Sequence, residues 1–237
     1  EPERVLADLP VVKEHPDWFV KCANGFCYPN LADAGGYAWL HGEMERLITT
    51  YGLAWMKIDF NFDLDTDPTG AELLRQTDAW YGLLDRIRRD HPALVLEGCA
   101  SGGMRLDLEA LRWFDVHFLS DTVNPLDMIR IGEGALLRVP PGRVAKWAVM
   151  RPFPPIGFSD GTRVDVLVPG RGGWEYPITA DADFVLRVAL AGALGISFIP
   201  TKAELGSDIV AHQALEAKKV HIGPCPFTGE TYAILPA

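Results

Sequence analysis

Asp59 and Asp121 are the residues in this sequence around which a reaction can be built. Asp59 stands in Lys57-Ile58-Asp59-Phe60-Asn61, at the end of one short apolar run, and Asp121 follows Phe118-Leu119-Ser120 at the end of another. Between them lies a glycine-rich polar segment, Cys99-Ala100-Ser101-Gly102-Gly103-Met104-Arg105-Leu106-Asp107. An acid at the end of an apolar strand is costly to bury without partners. Two such acids at neighbouring strand ends suit cleavage of a sugar bond, which needs a carboxyl group on each side of that bond.

Each feature also has an ordinary structural use. Asp59 could cap a helix or pair with Lys57, although strand alternation turns Lys57, Asp59 and Asn61 to one side, where they could hold a sugar hydroxyl. Asp121 could form an Asx-turn or cap a helix ahead of Asn124-Pro125. Gly102-Gly103 could be a tight strand-to-helix turn, or could let backbone approach a ligand. Arg105 and Asp107 could pair at the surface or contact hydroxyls. Asp63-x-Asp65-x-Asp67 opens like a calcium loop, but Pro68 sits where the EF-hand needs Gly and Leu74 where it needs Glu, so a solvated loop with a helix cap is expected. His15, His91 and His117 are isolated along the chain, without metal-ligand spacing. Trp147 and Trp174 could stack on sugar rings or fill a core.

Alternating elements position these residues. Leu40, Met44, Leu47, Ile48 and Tyr51 recur at helical spacing, predicting a helix over Tyr37–Tyr51 that Gly52 ends. A strand follows over Leu53–Ile58. Leu73, Leu74, Trp80, Leu83, Leu84 and Ile87 mark a second helix, ending before His91-Pro92, and Ala93–Leu96 reads as the next strand. A short helix over Arg105–Trp113, a strand over Val116–Leu119, a helix over Leu126–Leu137 stopped by Pro140-Pro141, and a strand over Val144–Met150 continue the series. Arg151–Pro177, rich in Gly and Pro, reads as a long loop with some local strand. Asp183–Leu194 and Ser207–Val220 read as helices, with a buried strand over Ile196–Ile199 between them. Such alternation implies an α/β fold of parallel strands with helical crossovers, either a (β/α)8 barrel or a doubly wound sheet. No GxGxxG follows a strand and no GxxxxGK[ST] occurs, which removes support from nucleotide-binding versions. In a barrel, chemistry sits at the C-terminal strand ends, where Asp59, Cys99 and Asp121 fall. About five or six strands are predicted, short of the eight of a closed barrel.

The 237 residues, 48% of them hydrophobic, suffice for one large core. A net charge of -10 with no basic stripe argues against nucleic acid and anionic membrane as partners, and no apolar run is long enough to span a bilayer. Cys22 and Cys27 could pair or share a metal, but no second CxxC or His pair completes a zinc site. Cys22, Cys27, Cys99 and Cys225 are therefore expected to be loose thiols in a reduced compartment. The opening Glu1-Pro2-Glu3-Arg4 reads as the start of a segment of a longer protein.

Together, these motifs resemble those of the α-galactosidases of glycoside hydrolase family 36, the melibiase-like group. Lys57-Ile58-Asp59-Phe60-Asn61 matches the family's Lys-Trp-Asp-Met-Asn at Lys, Asp and Asn. Glu97 to Asp107 matches Glu-x-Cys-Ala-Ser-Gly-Gly-Gly-Arg-x-Asp with Met104 in place of the last Gly. Ser120 to Asp127 resembles Ser-Asp-Asn-Thr-Asp-Pro-Leu-Asp, and Glu1-Pro2-Glu3 and Glu14-His15-Pro16-Asp17-Trp18 also look like family sequence. The resemblance implies a retaining hydrolase of terminal α-galactosides, with Asp59 as nucleophile and Asp121 as general acid/base. It implies a sugar site lined by Lys57, Asn61, Cys99, Ser101, Gly102 and Arg105, and no metal or organic cofactor. Its partners would be α-galactoside oligosaccharides or glycoconjugates, with homo-oligomer formation open, and the expected compartment is the cytoplasm. By the same resemblance, residues 1–237 are the C-terminal larger part of an incomplete (β/α)8 catalytic barrel, lacking an upstream β-sandwich and the early barrel strands. Ile58 in place of Trp, Phe62 in place of a common Arg, Thr122-Val123-Asn124 in place of Asn-Thr-Asp, and the lack of an arginine in Lys21–Tyr28 leave the two-carboxylate chemistry intact. They leave galactose preference open. The alternatives are an α-N-acetylgalactosaminidase, a galactosyl transferase, a non-catalytic carbohydrate-binding protein, and a metal-dependent enzyme using the Asp63–Asp67 loop.

Overall fold

Gly52 ends the first long helix as its sequence predicts. The helix, α2 (Ala34–Tyr51), is capped at its start by Asp33, whose carboxylate accepts from Gly35 N at 2.8 Å and Gly36 N at 3.1 Å. Gly52 takes φ 57°, the left-handed conformation, and returns its N–H to Ile48 O. The buried stripe of α2 includes Leu40, Met44 and Ile48, whereas Leu47 and Tyr51, read into the same stripe from the sequence, are exposed. The structure is a computed structural model describing residues 1–61, 64, 67–152, 165–169, 175–190, 193–198, 221–224 and 231–234. The chain divides into two units, Glu1–Phe118 and Leu119–Ala237.

In the first unit, β1 (Val5–Leu6), a short helix α1 (Pro10–Glu14), β2 (Phe19–Ala23) and β3 (Phe26–Pro29) precede α2, and the three strands form an antiparallel sheet in the order β1-β3-β2. Asn24 (φ 53°) and Gly25 (φ 83°) make the two-residue turn joining β2 to β3. A hairpin with both central residues at positive φ favours Asn-Gly. Here the structure corrects an expectation: Cys22 and Cys27 are not loose thiols but a disulfide, because the hairpin sets their Cα atoms 4.1 Å apart.

The rest of the first unit is β4 (Trp55–Asp59), α3 (Ala71–Asp90), β5 (Val95–Cys99), α4 (Ala110–Trp113) and β6 (Val116–Phe118). β4, β5 and β6 are parallel neighbours, with Asp59 in register with Cys99 and Glu97 with Val116. The connections are helical, as parallel strands require. Leu83, Leu84 and Ile87 of α3 and Leu96 of β5 are wholly buried, and they join Ile58, Phe60, Trp80 and Phe114 in one core. At ~25 cal/mol per Å², burying each such side chain contributes about 1.5–3 kcal/mol. Arg88 of α3 clamps Asp115 with two bonds of 2.8 and 2.9 Å, and Asp115 Oδ2 also accepts from Leu96 N at 2.9 Å. The helix expected over Arg105–Trp113 is reduced to its last turn. Ser101 and Gly102 take φ 45° and 84°, and Asp107 accepts from Ala110 N at 2.8 Å, so the helix begins only after that cap.

The second unit carries α5 (Pro125–Leu136), β7 (Val144–Pro152), β8 (Asp165–Val168), β9 (Ile178–Asp181), α6 (Ala182–Leu190), β10 (Ala193–Phe198), β11 (His221–Pro224) and β12 (Thr231–Ile234). β7 and β10 run parallel, in the alternating pattern; β8 and β9 form an antiparallel extension from β7, while β12 and β11 run antiparallel beyond β10. β8 is the local strand expected within Arg151–Pro177. Val123, Ala148, Val149, Met150, Val166, Val168, Val185 and Ala189 form this unit's core. The helix read over Ser207–Val220 lies outside the described residues.

Candidate active site

Asp59 is the last residue of β4, and donors from both motifs converge on its carboxylate. Asn61 Nδ2 donates to Asp59 Oδ1 at 3.0 Å, Ser101 N at 3.4 Å, and the Cys99 thiol also hydrogen-bonds Asp59. The Ser101 bond follows from backbone conformation: two successive residues at positive φ turn the chain after β5 back across the end of β4. A non-glycine residue at positive φ costs free energy, and such residues cluster at functional sites. Burial pushes the Cys99 thiol up to about 12, with Lys57 and the Gly102 N–H opposing and Asp59 adding to the rise, so the thiol stays protonated and serves as a donor.

Asn61 also donates to Glu3 Oε1 at 2.8 Å, so one amide links Asp59 to a carboxylate only 4% exposed. Lys57 does not take the pairing with Asp59 that alternation allowed. Its Nζ lies 3.9 Å from Glu97 Oε1 and 3.4 Å from the centre of the Phe118 ring. Glu97 is 9% exposed and accepts from Trp55 Nε1 at 2.9 Å. Burial raises its pKa, with Lys57 and the Trp55 bond opposing. Glu3 and Glu97 were not singled out as site residues; the signal for Glu97 was a carboxylate inside an apolar stretch, which needs partners, while Glu3, in Glu1-Pro2-Glu3-Arg4, carried no such signal.

A small cavity of about 20 Å³ lies on the other face of the strands, lined by Ile58, Phe60, Trp80, Gly98, Phe114 and Arg105 among others. Ile58 and Phe60 alternate with Asp59, so this apolar space belongs to the helix layer and we assign no sugar to it. Arg105 lies there beside Trp80 and Tyr81, with Gly102, while Cys99 borders both the cavity and Asp59. Asp107 accepts from the Tyr81 hydroxyl at 2.8 Å, and burial with that bond raises the tyrosine's pKa.

In the second unit, Asp121 begins a loop that Asn124, not Asp121, converts into a helix: the Asn124 side chain accepts from Leu126 N at 3.0 Å as the cap of α5. Glu175 holds this loop. Its carboxylate accepts from Val123 N at 3.0 and 3.1 Å, from Asn124 N at 3.2 Å and from the Thr122 hydroxyl. Trp147 contributes to the core and donates Nε1 to Thr122 O at 2.7 Å. Trp174, Asp63 and Asp65 lie outside the described residues, and Asp67 caps the start of α3 by accepting from Leu73 N at 2.8 Å. His15 stacks on Trp18 with ring centres 3.7 Å apart, and His117 is buried against Phe114. His91 bonds Glu45 at 2.8 Å.

The family model for melibiase matches residues 1–198. The chain belongs to the melibiase family. A curated relative of this melibiase chain, probable α-galactosidase C of Aspergillus flavus, is 28% identical over 245 residues, covering 99% of this chain and 29% of the relative. The α-galactosidase of Escherichia coli is 29% identical over 151 residues, covering 60% of this chain and 21% of that enzyme. The chain thus spans under a third of the length of these relatives. Among solved structures, the GH36 α-galactosidase AgaA of Geobacillus stearothermophilus aligns over 97% of this chain and 33% of its own, with TM-score 0.64 and 17% identity. AgaB of the same organism aligns over 92% and 30%, with TM-score 0.66 and 16% identity. The likeness shows the fold: this melibiase chain takes part of the (β/α)8 catalytic barrel, and the doubly wound alternative is set aside.

Proposed function

We propose that the protein is a retaining glycoside hydrolase that cleaves terminal α-galactosides, with Asp59 as nucleophile and Asp121 as general acid/base. The observation that carries this is the end of β4, where Asn61, Ser101 and Cys99 of two separate motifs aim donors at one carboxylate. That orients Asp59 for attack on an anomeric carbon. Asp121 would protonate the leaving oxygen while Asp59 forms the glycosyl-enzyme, then deprotonate the water that releases the sugar. Retention calls for the two carboxyl groups to stand about 5–5.5 Å apart. Lys57 and Asn61, on the same side of β4, would contact sugar hydroxyls. Substituted variants of AgaA have been crystallised in complex with raffinose and, separately, with stachyose. By analogy, we propose raffinose-type oligosaccharides as substrates here.

The test is hydrolysis of p-nitrophenyl α-galactoside and raffinose by the full-length protein and by Asp59→Asn, with the first-formed anomer read by NMR. Turnover that releases α-galactose and vanishes in the variant supports the assignment. Turnover that survives Asp59→Asn overturns it, as does a folded wild type that hydrolyses neither substrate.

A further inference from the structure

His41 and Glu45 lie one helical turn apart on the same face of α2, and Asp90 is the last residue of α3. His41 Nε2 is 3.8 Å from Glu45 Oε1 and 4.0 Å from Asp90 Oδ2, and the three atoms lie within 4.8 Å of one another. Donors bound to one zinc ion at ~2.1 Å stand about 3–4 Å apart. The two His41 separations fall in that range, the third needs at most a small carboxylate rotation to reach it, and the atoms stand too far apart to hydrogen-bond one another.

A second observation points the same way. His41 is only 9% exposed, and its Nε2 is buried with no hydrogen-bond partner. Buried polar atoms are nearly always satisfied, and an exception needs an explanation such as an ion. Glu45 is held by His91, whose Nε2 lies 2.8 and 2.9 Å from its two oxygens, so Oε1 has a second partner that fixes the carboxylate beside His41. Asp90 is about half exposed, at 49% of its side chain, which gives a path of entry. The cation at the cluster is Arg86, whose Nε lies 3.7 Å from Asp90 Oδ2, and an incoming ion must displace it.

We infer that His41, Glu45 and Asp90 form a binding site for a divalent transition cation, of which zinc is the natural probe, with His91 orienting Glu45. Imidazole with carboxylates is a ligand set suited to zinc, and three protein ligands leave room for water. The site joins α2 to the end of α3 just before β5 begins, whereas Asp59 stands at the far, C-terminal end of parallel strand β4. In barrels the N-terminal face serves stability rather than chemistry. The ion is therefore a staple between two helices and takes no part in turnover.

The experiment uses tag-free full-length protein stripped with chelator and dialysed. Zinc binding is measured by calorimetry and elemental analysis, and the visible spectrum is recorded with Co²⁺ as a spectroscopic substitute. Wild type is expected to bind one zinc more per chain than His41→Gln, with Kd about 1 μM or tighter. Arg86→Gln, which removes the competing cation, should tighten binding severalfold, an effect a plain ion-pair cluster would not produce. Hydrolysis of the aryl galactoside should be unchanged by chelation. Should His41→Gln fold poorly by circular dichroism, Asp90→Asn at the exposed helix end serves as the zinc-deficient variant. Equal zinc content in wild type and variant, or weaker binding by Arg86→Gln, overturns the site.

Discussion

Replacing Glu175 by Ala tests whether the loop after Asp121 is held in place by one carboxylate. In the native chain Glu175 accepts from two backbone N–H groups, at 3.0 and 3.2 Å, and from the Thr122 hydroxyl. Hydrogen bonds to a charged acceptor contribute about 1.5–3 kcal/mol each. With Glu175 only partly buried, and with the Thr122 hydroxyl still 3.3 Å from Asn124 N, the net loss should be nearer 2–3 kcal/mol for the loop. At 1.4 kcal/mol per factor of ten, that lowers the population of the ordered loop relative to disordered ones by about 30- to 150-fold. Since Asp121 immediately precedes this loop, and on the proposed mechanism protonates the leaving oxygen, the loss should depend on the leaving group. The assay is kcat/KM for a series of aryl α-galactosides alongside raffinose. Unactivated raffinose should lose about tenfold to a hundredfold, and nitrophenyl substrates, which leave without help, much less. Glu175→Gln keeps an acceptor oxygen without the charge and should fall in between. An unchanged kcat/KM for raffinose in Glu175→Ala would refute the clamp, and an equal loss on every leaving group would show that it does not act through Asp121.

Glu97 should make stability depend on pH. Burial raises its pKa above the ordinary 4.5, so its contribution to folding is complete below that value and is lost as pH climbs through the folded value. Glu97→Gln should therefore gain in urea midpoint over wild type between pH 4.5 and 7 and converge with it at lower pH; a constant offset would count against this. Gly36→Ala should destabilise the start of α2 by about 1–3 kcal/mol. A Cβ there would meet Asn30 O at 2.3 Å and Trp18 O at 2.7 Å, both backbone atoms that cannot swing aside, and proteolytic susceptibility near Asn30 would report it. Cys99, its thiol pushed up to about 12 and buried, should resist iodoacetamide at pH 8 in folded protein and react on unfolding, as read by peptide mass mapping.

The helices and parallel strands were legible because each carries its own period. Leu40, Met44 and Ile48 face one way on α2 whatever surrounds them, and the apolar run before Asp59 is too short for a helix. The motif residues Asp59, Asn61 and Cys99 were legible for a related reason: each lies at or just beyond a strand end, and parallel register brings those ends together. The β2–β3 hairpin was missed although Asn24-Gly25 announces it, because the surrounding residues lack clean alternation and β2 carries a register shift after Val20. The disulfide was open as a pairing of Cys22 with Cys27, but without the hairpin nothing favoured it over loose thiols. Glu175 and the His41 cluster were beyond reach for another reason. The clamp joins residues more than fifty apart, and the cluster joins the middle of one helix to the end of the next. Local spacing pairs His41 with Glu45, one helical turn apart, but Glu175 with its loop and Asp90 with that pair meet only after packing.

The Arg88–Asp115–Leu96 junction has a kinetic consequence. Leu96 has its amide bonded not to a neighbouring strand's carbonyl but to a side chain that sits just before β6 and is itself gripped from α3. Its proton can meet solvent only when a helix and the approach to the next strand loosen together. Native-state hydrogen exchange should find Leu96 among the slowest amides of this segment, exchanging in step with Ile87 and Val116 and not with the fraying end of its own strand. That one aspartate makes two successive βα crossovers behave as a single opening event.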